Sequence, residues 1–247
     1  LKLAMNADIN SQPPGNSGEK KFDPEVWRHI LKAGVEAQRL IQGSICVGGT
    51  AAALYAKHRI SLDTDHLVPE LRHKFDDVRE TLEANKEWKT ARVQPAGVIR
   101  GSLGGAEVGV RQLTRSAPVE TTTLQTPEGP LVVRTLDELI CRQAYLAYVR
   151  NTTRDYLDVA ALSQCASERA VLDSLLALDT RYGELQTASV ALEVAKALSA
   201  CLPFDLEPTE LAHYKALDPK WHSWEATQMI CRHFGRRLAT ILITGPE

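Results

Sequence analysis

The residues best suited to chemistry in this chain are two aspartates and a pair of glycines that lie close together in the sequence. Asp63 and Asp65 are two positions apart on a predicted strand, so their carboxylates point to one face and can share a hard divalent cation. Gly48 and Gly49 follow a short apolar strand and precede a predicted helix, where free backbone N–H groups can bind phosphate. A metal site beside a phosphate site is the minimum apparatus for transferring a nucleotidyl group.

Each part of this pattern also has a simpler explanation. Two acids on an exposed strand are common, and Gly48-Gly49 could be an ordinary tight turn. Thr50 could cap the helix that follows, or could turn its hydroxyl towards a phosphate oxygen or the metal. The order strand, Gly-Gly, helix, strand and Asp-x-Asp is far more specific than either piece, and it favours a nucleotide site.

The elements that must hold these residues follow from hydrophobic periodicity and capping signals. Residues 44–47 form a short buried strand, and residues 61–68 alternate as a second strand. Several β-like segments between residues 88 and 133, separated by Gly and Pro, extend these strands into a mixed sheet. Thr135 begins a helix with a capping box to Glu138, and further helices are predicted over about residues 153–165, 167–180, 186–200 and 219–242.

The sequence therefore divides into three predicted parts. Residues 1–21 are polar and rich in Asn, Gly, Ser and Pro, which predicts a flexible N-terminal tail. Residues 22–134 form an α+β core, and residues 135–247 form a C-terminal helical region. The boundary falls near the loop of residues 126–130, which contains two prolines and a glycine.

Composition limits the class of protein. The 247 residues are 44% hydrophobic and 24% charged, as in ordinary globular proteins, and the net charge of −2 gives no global basic field. No apolar run approaches the roughly 20 residues that a membrane span needs, so no membrane partner is expected. The five cysteines are scattered without metal-binding spacing, which indicates reduced core residues of a cytoplasmic protein.

Two blocks of the sequence carry a family resemblance. They are Val47-Gly48-Gly49-Thr50-Ala51-x-x-Leu54-Tyr55-x-x-His58-Arg59-x-Ser61-x-Asp63-x-Asp65 and Leu139-Ile140-Cys141-Arg142 with Ala147, Arg150 and Arg154-Asp155-x-x-Asp158. The first block resembles the AbiEii-like nucleotidyltransferases, the toxin components of some bacterial toxin–antitoxin and abortive-infection systems. The second resembles that family's helical signature, a basic residue followed by Arg…Arg-Asp-x-x-Asp. Together the resemblance covers about residues 40–165.

The resemblance implies a nucleotidyltransferase fold that uses Mg²⁺ and a nucleoside triphosphate. Gly48, Gly49 and Thr50 would then hold the triphosphate. Asp63 and Asp65 would bind the metal and act as the catalytic carboxylates.

The resemblance also suggests roles for flanking residues. Arg59 could reach a phosphate bidentately, or could form a structural salt bridge to the Arg-Asp-x-x-Asp helix, while Ser61 could cap or touch phosphate. Arg142 stands where the family usually has Lys and would hold the β- and γ-phosphate oxygens. Asp155 is expected near the active site as a catalytic residue, or else to neutralise an arginine, and Asp158 is expected to do the latter.

Besides Arg142, a second feature departs from the family. A third carboxylate on a later strand usually activates the attacking hydroxyl, but the expected position on the strand of residues 107–112 holds Arg111 or Gln112. Glu107 is the only acid on that strand and could lie out of register. Two functions therefore stay open. One is an active Mg²⁺-dependent nucleotidyltransferase, with an antitoxin protein and RNA as its expected partners, and the other is a catalytically degenerate module for nucleotide binding or protein interaction.

The acceptor of the nucleotidyl group is less defined. Basic and aromatic residues near the end of the chain could grip RNA ends, or could be the polar face of an amphipathic closing helix. They are Trp221, His222, Trp224, Arg232, His233, Arg236 and Arg237. Because members of the family are thought to modify transfer RNA, an RNA 3′ hydroxyl is expected by analogy, although a protein hydroxyl or an aminoglycoside is also compatible.

Overall fold

A seven-stranded mixed sheet forms the centre of the first half of the molecule in the computed structural model, which describes residues 23–245. The predicted tail of residues 1–21 lies outside the described residues. The strands are β1 (Ile45–Val47), β2 (Asp63–Val68), β3 (Trp88–Gln94), β4 (Val98–Leu103), β5 (Ala106–Gln112), β6 (Thr121–Thr126) and β7 (Gly129–Arg134). Their order across the sheet is β3-β4-β5-β2-β1-β7-β6. This sheet with flanking helices confirms the predicted α+β class.

Helices cover the sheet and make up most of the second half of the chain. They are α1 (Pro24–Leu40), α2 (Gly48–Ala56), α3 (Phe75–Glu83), α4 (Leu136–Arg150), α5 (Thr153–Ser163), α6 (Glu168–Leu176), α7 (Leu178–Tyr182), α8 (Val190–Ala200) and α9 (Trp224–Thr244). Helix α4 begins where the capping signal predicts, because the Thr135 hydroxyl accepts a hydrogen bond of 3.4 Å from the Glu138 N–H. Between residues 23 and 245, no helix is long and apolar enough to cross a membrane.

The helical second half is interrupted at residues 201–223. This segment contains two short 3₁₀ turns, Leu211–His213 and Pro219–Trp221, in otherwise irregular backbone. Pro203 and Pro208 lack a backbone N–H and prevent a continuous helix between α8 and α9. Residues 201–218 lie in the gap between the helices predicted over about 186–200 and 219–242, and α9 begins later than predicted, at Trp224. The irregular segment is free to follow another element.

Strand β2 lies in the middle of the sheet, and successive side chains along it point alternately to a buried face and to a partly exposed face. It pairs antiparallel with β1 and parallel with β5. Thr64 and His66 are fully buried on one face, where Thr64 contacts Gly34 of α1. Asp63 and Asp65 therefore point to the opposite face, and both remain partly exposed.

Two hydrophobic cores hold β2 and α2 in place. One core, which includes Leu71, Ile99 and Val110, joins α1 and α3 to the buried face of β3–β5. The other, which includes Ala51 and Leu157, joins α2 to the helices of the second half. Since burial of a large aliphatic side chain contributes about 1.5–3 kcal/mol, these cores fix α2 firmly between the sheet and the second half.

The buried imidazole of His66 makes the fold sensitive to acid. Its Nε2 lies 3.0 Å from Thr64 Oγ1, and burial lowers the pKa of His66 from 6.5 to about 4. The unfolded chain therefore binds more protons than the native state between pH 6.5 and pH 4. The free energy of unfolding should fall as the pH falls through this window, by roughly 3 kcal/mol for this group.

Urea unfolding at several pH values tests this expectation with a His66→Gln variant. We expect the variant to have a shallower pH dependence between pH 6.5 and pH 4 than the wild type, whatever its stability at pH 7.5. Comparing the two proteins cancels the titration of the other acidic and histidine side chains. Equal slopes in this window would show that His66 is protonated in the native state.

Candidate active site

Asp63 is held in place by two buried hydroxyl groups, one on its carboxylate and one on its main-chain oxygen. Ser61 Oγ donates a hydrogen bond of 2.8 Å to Asp63 Oδ1, and Thr50 Oγ1 donates one of 2.5 Å to the main-chain oxygen of Asp63. Both hydroxyl-bearing residues are almost completely buried. The geometry therefore gives Thr50 and Ser61, which the sequence predicts to bind nucleotide, a positioning role for Asp63.

Asp65 occupies a site that disfavours its negative charge unless a cation is near. Burial raises the pKa of the Asp65 carboxyl, the charge of Arg111 opposes this shift, and the charge of Asp63 reinforces it. Arg111 Nε lies 3.4 Å from Asp65 Oδ1. A divalent cation between the two aspartates would relieve both the burial penalty and the mutual repulsion.

The N-terminus of α2 lies beside Asp65. Val47 pairs with Asp65 across β1 and β2, and Gly48 follows as the first residue of the helix. Gly48 has a φ of +68°, a conformation that favours glycine, and a Cβ there would lie 3.5 Å from Asp65 Oδ2. Gly49, next along, packs against the side chains of Arg59 and Ser61. Since the apolar Val47 cannot cap the helix, the first N–H groups of α2 are suited to an anion next to the aspartates.

Strand β5 brings Glu107 to the same face as the aspartates. The parallel register pairs Asp63 with Glu107 and Asp65 with Gly109, so Glu107 is in register with the aspartates and exposed beside Asp63. A Cβ at position 109 would overlap Asp65 Oδ1, so only glycine leaves room for that carboxylate. Of the two positions predicted for the third acid, Arg111 is paired with Asp65.

Gln112, the other such position, lies on the opposite face of β5. Its register partner on β2 is Val68, and its side-chain amide donates hydrogen bonds to the carbonyl oxygens of Pro69 and Leu113. In the part of the chain that the structure describes, no group of three or more Asp, Glu, His or Cys residues is close enough to hold a metal. The described residues that could hold a metal at this face are therefore the pair of aspartates, with Glu107 on the neighbouring strand.

Arg59 forms the structural ion pair that the sequence left as one of its alternatives. Its Nε and Nη2 atoms donate hydrogen bonds of 2.9 Å to the two carboxylate oxygens of Asp158 on α5. His58 Nε2 and Gln143 Nε2 each lie 2.7 Å from the same carboxylate. Burial acts to raise the pKa of Asp158, but the charge of Arg59 and these hydrogen bonds hold it well below its usual range. The Arg59 guanidinium, which packs against Gly49, is thus already bound to Asp158. Its contact with phosphate stays a prediction.

Asp155 also has an arginine partner, as the second alternative for that residue expects. Its buried carboxylate accepts hydrogen bonds from the Arg150 guanidinium and, at 2.6 Å, from Thr152 Oγ1. Arg142 stacks over the rings of Tyr145 and Tyr182, at 5.5 and 5.8 Å from their centroids. Among the described residues, no hydrogen bond or ion pair links Asp155 or Arg142 to the aspartates of β2.

The outer face of strands β3–β5 continues the aspartate face and is basic. We call it the cationic sheet face; it consists of Lys89, Arg92, Arg100 and Arg111. Cross-strand register places Arg92, Arg100 and Gly109 in one row with Asp65. The charge of Arg100 accordingly lowers the pKa of Asp65, against the effect of burial. Sequence reasoning missed this surface, because its members are spread over three strands and Lys89 and Arg92 share a face only through the register shift between Thr90 and Arg92.

Three basic residues of α9 have partners within the helical half. His233 Nε2 and Arg237 Nε lie 3.3 and 3.4 Å from Glu168 Oε1. Arg232 donates a 3.3 Å hydrogen bond to the carbonyl oxygen of Ala200. The helix packs against α5, α6 and α8, as a closing amphipathic helix would.

Sequence reasoning also missed the segment of residues 214–218, which approaches the site from the second half. The N–H of Ile60 donates a 3.0 Å hydrogen bond to the carbonyl oxygen of Lys215, and the N–H of Asp218 donates one of 2.7 Å to that of His58. The Lys215 side chain thereby lies near Asp63. No motif in the sequence signals this contact between distant parts of the chain.

Comparisons with known proteins bear on the fold. The sequence has no significant match to a protein-family model or to a curated protein. The structure is similar to that of a candidate nucleotidyltransferase from H. pylori, with a TM-score of 0.55, 14% sequence identity, and coverage of 92% of this chain and 100% of the other. More distant likenesses include an antigenic nucleotidyltransferase-like protein from Paracoccidioides brasiliensis, with a TM-score of 0.45, 17% identity, and coverage of 72% and 95% of the two chains. ANT(2'')-Ia in complex with adenylyl-2''-tobramycin gives a TM-score of 0.47 and 11% identity, with coverage of 64% and 98%. The chain therefore has a nucleotidyltransferase fold.

Proposed function

We propose that this protein is a Mg²⁺-dependent nucleotidyltransferase that moves a nucleoside monophosphate from a triphosphate to an acceptor hydroxyl. The observation that carries this proposal is the position of Asp63 and Asp65 beside the N-terminus of α2, within a nucleotidyltransferase fold. The fold alone would not assign an activity. The paired carboxylates and the adjacent anion site supply the chemistry.

The residues present fit a magnesium ion. Proteins commonly hold Mg²⁺ through one or two carboxylates together with substrate phosphates and water, and Asp63 and Asp65 provide such a pair. The ion would neutralise charge on the α-phosphate and on the leaving pyrophosphate. Ser61 and Thr50 hold Asp63 in place, and Gly109 leaves space for the carboxylate of Asp65.

In the order of strands, β1 and β5 lie on opposite sides of β2, so the triphosphate and the acceptor can approach the aspartate pair from different sides. Gly48 and the first N–H groups of α2 lie on the β1 side of β2, which suits the triphosphate. Glu107 lies on the β5 side, which leaves that side to the acceptor. An exposed carboxylate there is suited to accept the proton of an attacking hydroxyl.

The charge of the acceptor side favours an anionic acceptor such as an RNA 3′ end. The cationic sheet face begins next to Glu107 and extends to β3, so phosphates along a strand of RNA could bind across it. A cationic acceptor such as an aminoglycoside would be repelled by the same surface. The resemblance to the AbiEii-like family further supports a toxin of the bacterial cytoplasm that is restrained by an antitoxin protein.

A transfer assay tests the proposal and the acceptor together. The protein is incubated with Mg²⁺, each α-labelled nucleoside triphosphate, and total bacterial RNA, a protein extract or an aminoglycoside. We expect label on RNA, and a loss of about tenfold or more in the Lys89→Glu/Arg100→Glu variant, because two phosphate-binding charges are reversed. The KM for the triphosphate should not change, since these residues lie on the acceptor side.

The Arg232→Glu/Arg236→Glu variant is the matched control, because it makes the same charge change on α9. Equal losses in the two variants would indicate a nonspecific effect of net charge. Loss only in the control would move the RNA site to the closing helix. Label on protein or aminoglycoside, with none on RNA, would contradict an RNA acceptor.

A second candidate is a catalytically degenerate protein that binds nucleotide or a protein partner. The observation that favours it is that Glu107 does not join the aspartates in a three-carboxylate group within residues 23–245. This candidate predicts nucleotide binding without transfer to any of the three acceptor classes. The same preparation can therefore distinguish the two functions.

A further inference from the structure

Lys215 is held next to the aspartate site by main-chain contacts across the two halves of the molecule. The segment of residues 214–218 is fastened at both ends to residues 58–60, which lead into β2. Lys215 and Ala216 both have left-handed backbone, with φ values of 46° and 50°. Such conformations are costly for non-glycine residues, so this course of the chain must be imposed by the contacts around it.

Among residues 23–245, the ammonium group of Lys215 has no carboxylate partner and forms no hydrogen bond or ion pair. Its Nζ lies 5.9 Å from the centroid of the Tyr214 ring. Arg154 on α5 is nearby and likewise forms no hydrogen bond or ion pair with the described residues. Arg59, the third cation of this cluster, is already neutralised by Asp158.

This cluster therefore carries an excess of positive charge where a counter-ion would be stabilising. Lys215 is only partly exposed, and burial lowers the pKa of its ammonium, with the charge of Arg59 adding to the effect and that of Asp63 opposing it. A half-buried charge without a partner is costly, so a bound anion would lower the free energy of the site. The N–H groups at the start of α2, above Arg59 and beside the aspartates, offer further donors to that anion.

We propose that Lys215 binds the β- and γ-phosphates of the nucleoside triphosphate, as a cation contributed by the helical half. This inference rests on the proposed function and adds to it a residue that lies outside both sequence blocks. An ordinary salt bridge to Asp63 does not explain the lysine, because no carboxylate oxygen in the described chain lies within 4.0 Å of its Nζ. Arg154 would assist as a second cation from α5.

Calorimetric titration with nucleoside tri-, di- and monophosphates in Mg²⁺ tests this role. We expect Lys215→Met to weaken triphosphate binding by about tenfold or more, because a charge-assisted hydrogen bond is lost, and to leave monophosphate binding unchanged. Lys215→Arg should retain most of the affinity. Lys220→Met removes the same charge just beyond this segment, in the 3₁₀ turn where Lys220 stacks on Trp221, and should bind like the wild type.

The outcomes separate this inference from the proposed function. If the wild type binds triphosphate and Lys215→Met binds it equally well, the inference is wrong and the function stands. An equal loss of tri- and monophosphate affinity, or a lowered melting temperature in Lys215→Met alone, would make the lysine a structural residue and also overturn the inference. A wild type that binds no nucleotide would overturn the proposed function and this inference together.

Discussion

Replacement of Asp63 by Asn should lower metal-dependent nucleotidyl transfer by roughly a thousandfold, without unfolding the protein. The substitution removes one of the two charges that would hold Mg²⁺, while the amide oxygen can still accept the hydrogen bond from Ser61. The volume of the side chain and the hydrogen bond from Thr50 to the main chain are unchanged. Initial rates with labelled triphosphate, measured over a range of Mg²⁺ concentrations, give the effect.

The matched control for this change is Asp77→Asn. Asp77 is exposed on α3, so the same chemical change there should leave both the rate and the melting temperature as in the wild type. If the Asp63→Asn protein is fully active, the assignment of Asp63 and strand β2 to the active site is wrong. Partial activity that is restored at high Mg²⁺ would still agree with a weakened metal site.

Replacement of Asp158 by Asn should destabilise the protein by about 3–5 kcal/mol. The buried Arg59 guanidinium would lose its counter-charge and one of its two hydrogen bonds, because the Asn amide keeps one acceptor oxygen and replaces the other by a donor NH2 group. His58 and Gln143 bond different oxygens of Asp158, so one of the two would lose its acceptor as well. Urea unfolding at pH 7.5 measures the loss as a change in the free energy of unfolding.

Two further variants serve as controls for the effect of Asp158→Asn on stability. Asp173→Asn breaks an exposed ion pair with Arg169 on α6 and should cost less than about 1 kcal/mol. Arg59→Met/Asp158→Leu removes both buried charges and should recover much of the stability lost in Asp158→Asn. If Asp173→Asn and Asp158→Asn cost the same, the buried pair is not a major contributor to stability.

The parts of the fold that were predictable depend on local signals. Alternation along residues 61–68 predicts which face of β2 carries Asp63 and Asp65, because successive side chains of a strand point in opposite directions. The capping signal at Thr135 likewise predicts the start of α4. Pro203 and Pro208 lie in the gap between the helices predicted over residues 186–200 and 219–242, where their lack of a backbone N–H interrupts the helical half.

The parts that were not predictable depend on contacts between distant residues. The place of Glu107 beside Asp63 is decided by the register of two parallel strands that are joined by a long connection, and a local pattern does not fix that register. The choice between the two roles of Arg59 depends on its burial against Asp158, 99 positions away. Lys215 has no distinguishing neighbours in sequence, and only its docking on residues 58–60 brings it to the site.

The ties between residues 58–60 and the second half have a consequence for how the chain can be divided. A fragment ending near residue 134 would contain the aspartates and the glycine pair, but its Arg59 would lack Asp158, and Ile60 would lack its carbonyl partner. The segment that leads into β2 would then carry a desolvated charge and an unsatisfied N–H. Strand β2 is therefore completed by the C-terminal half, so the two halves form one cooperative folding unit rather than interchangeable modules.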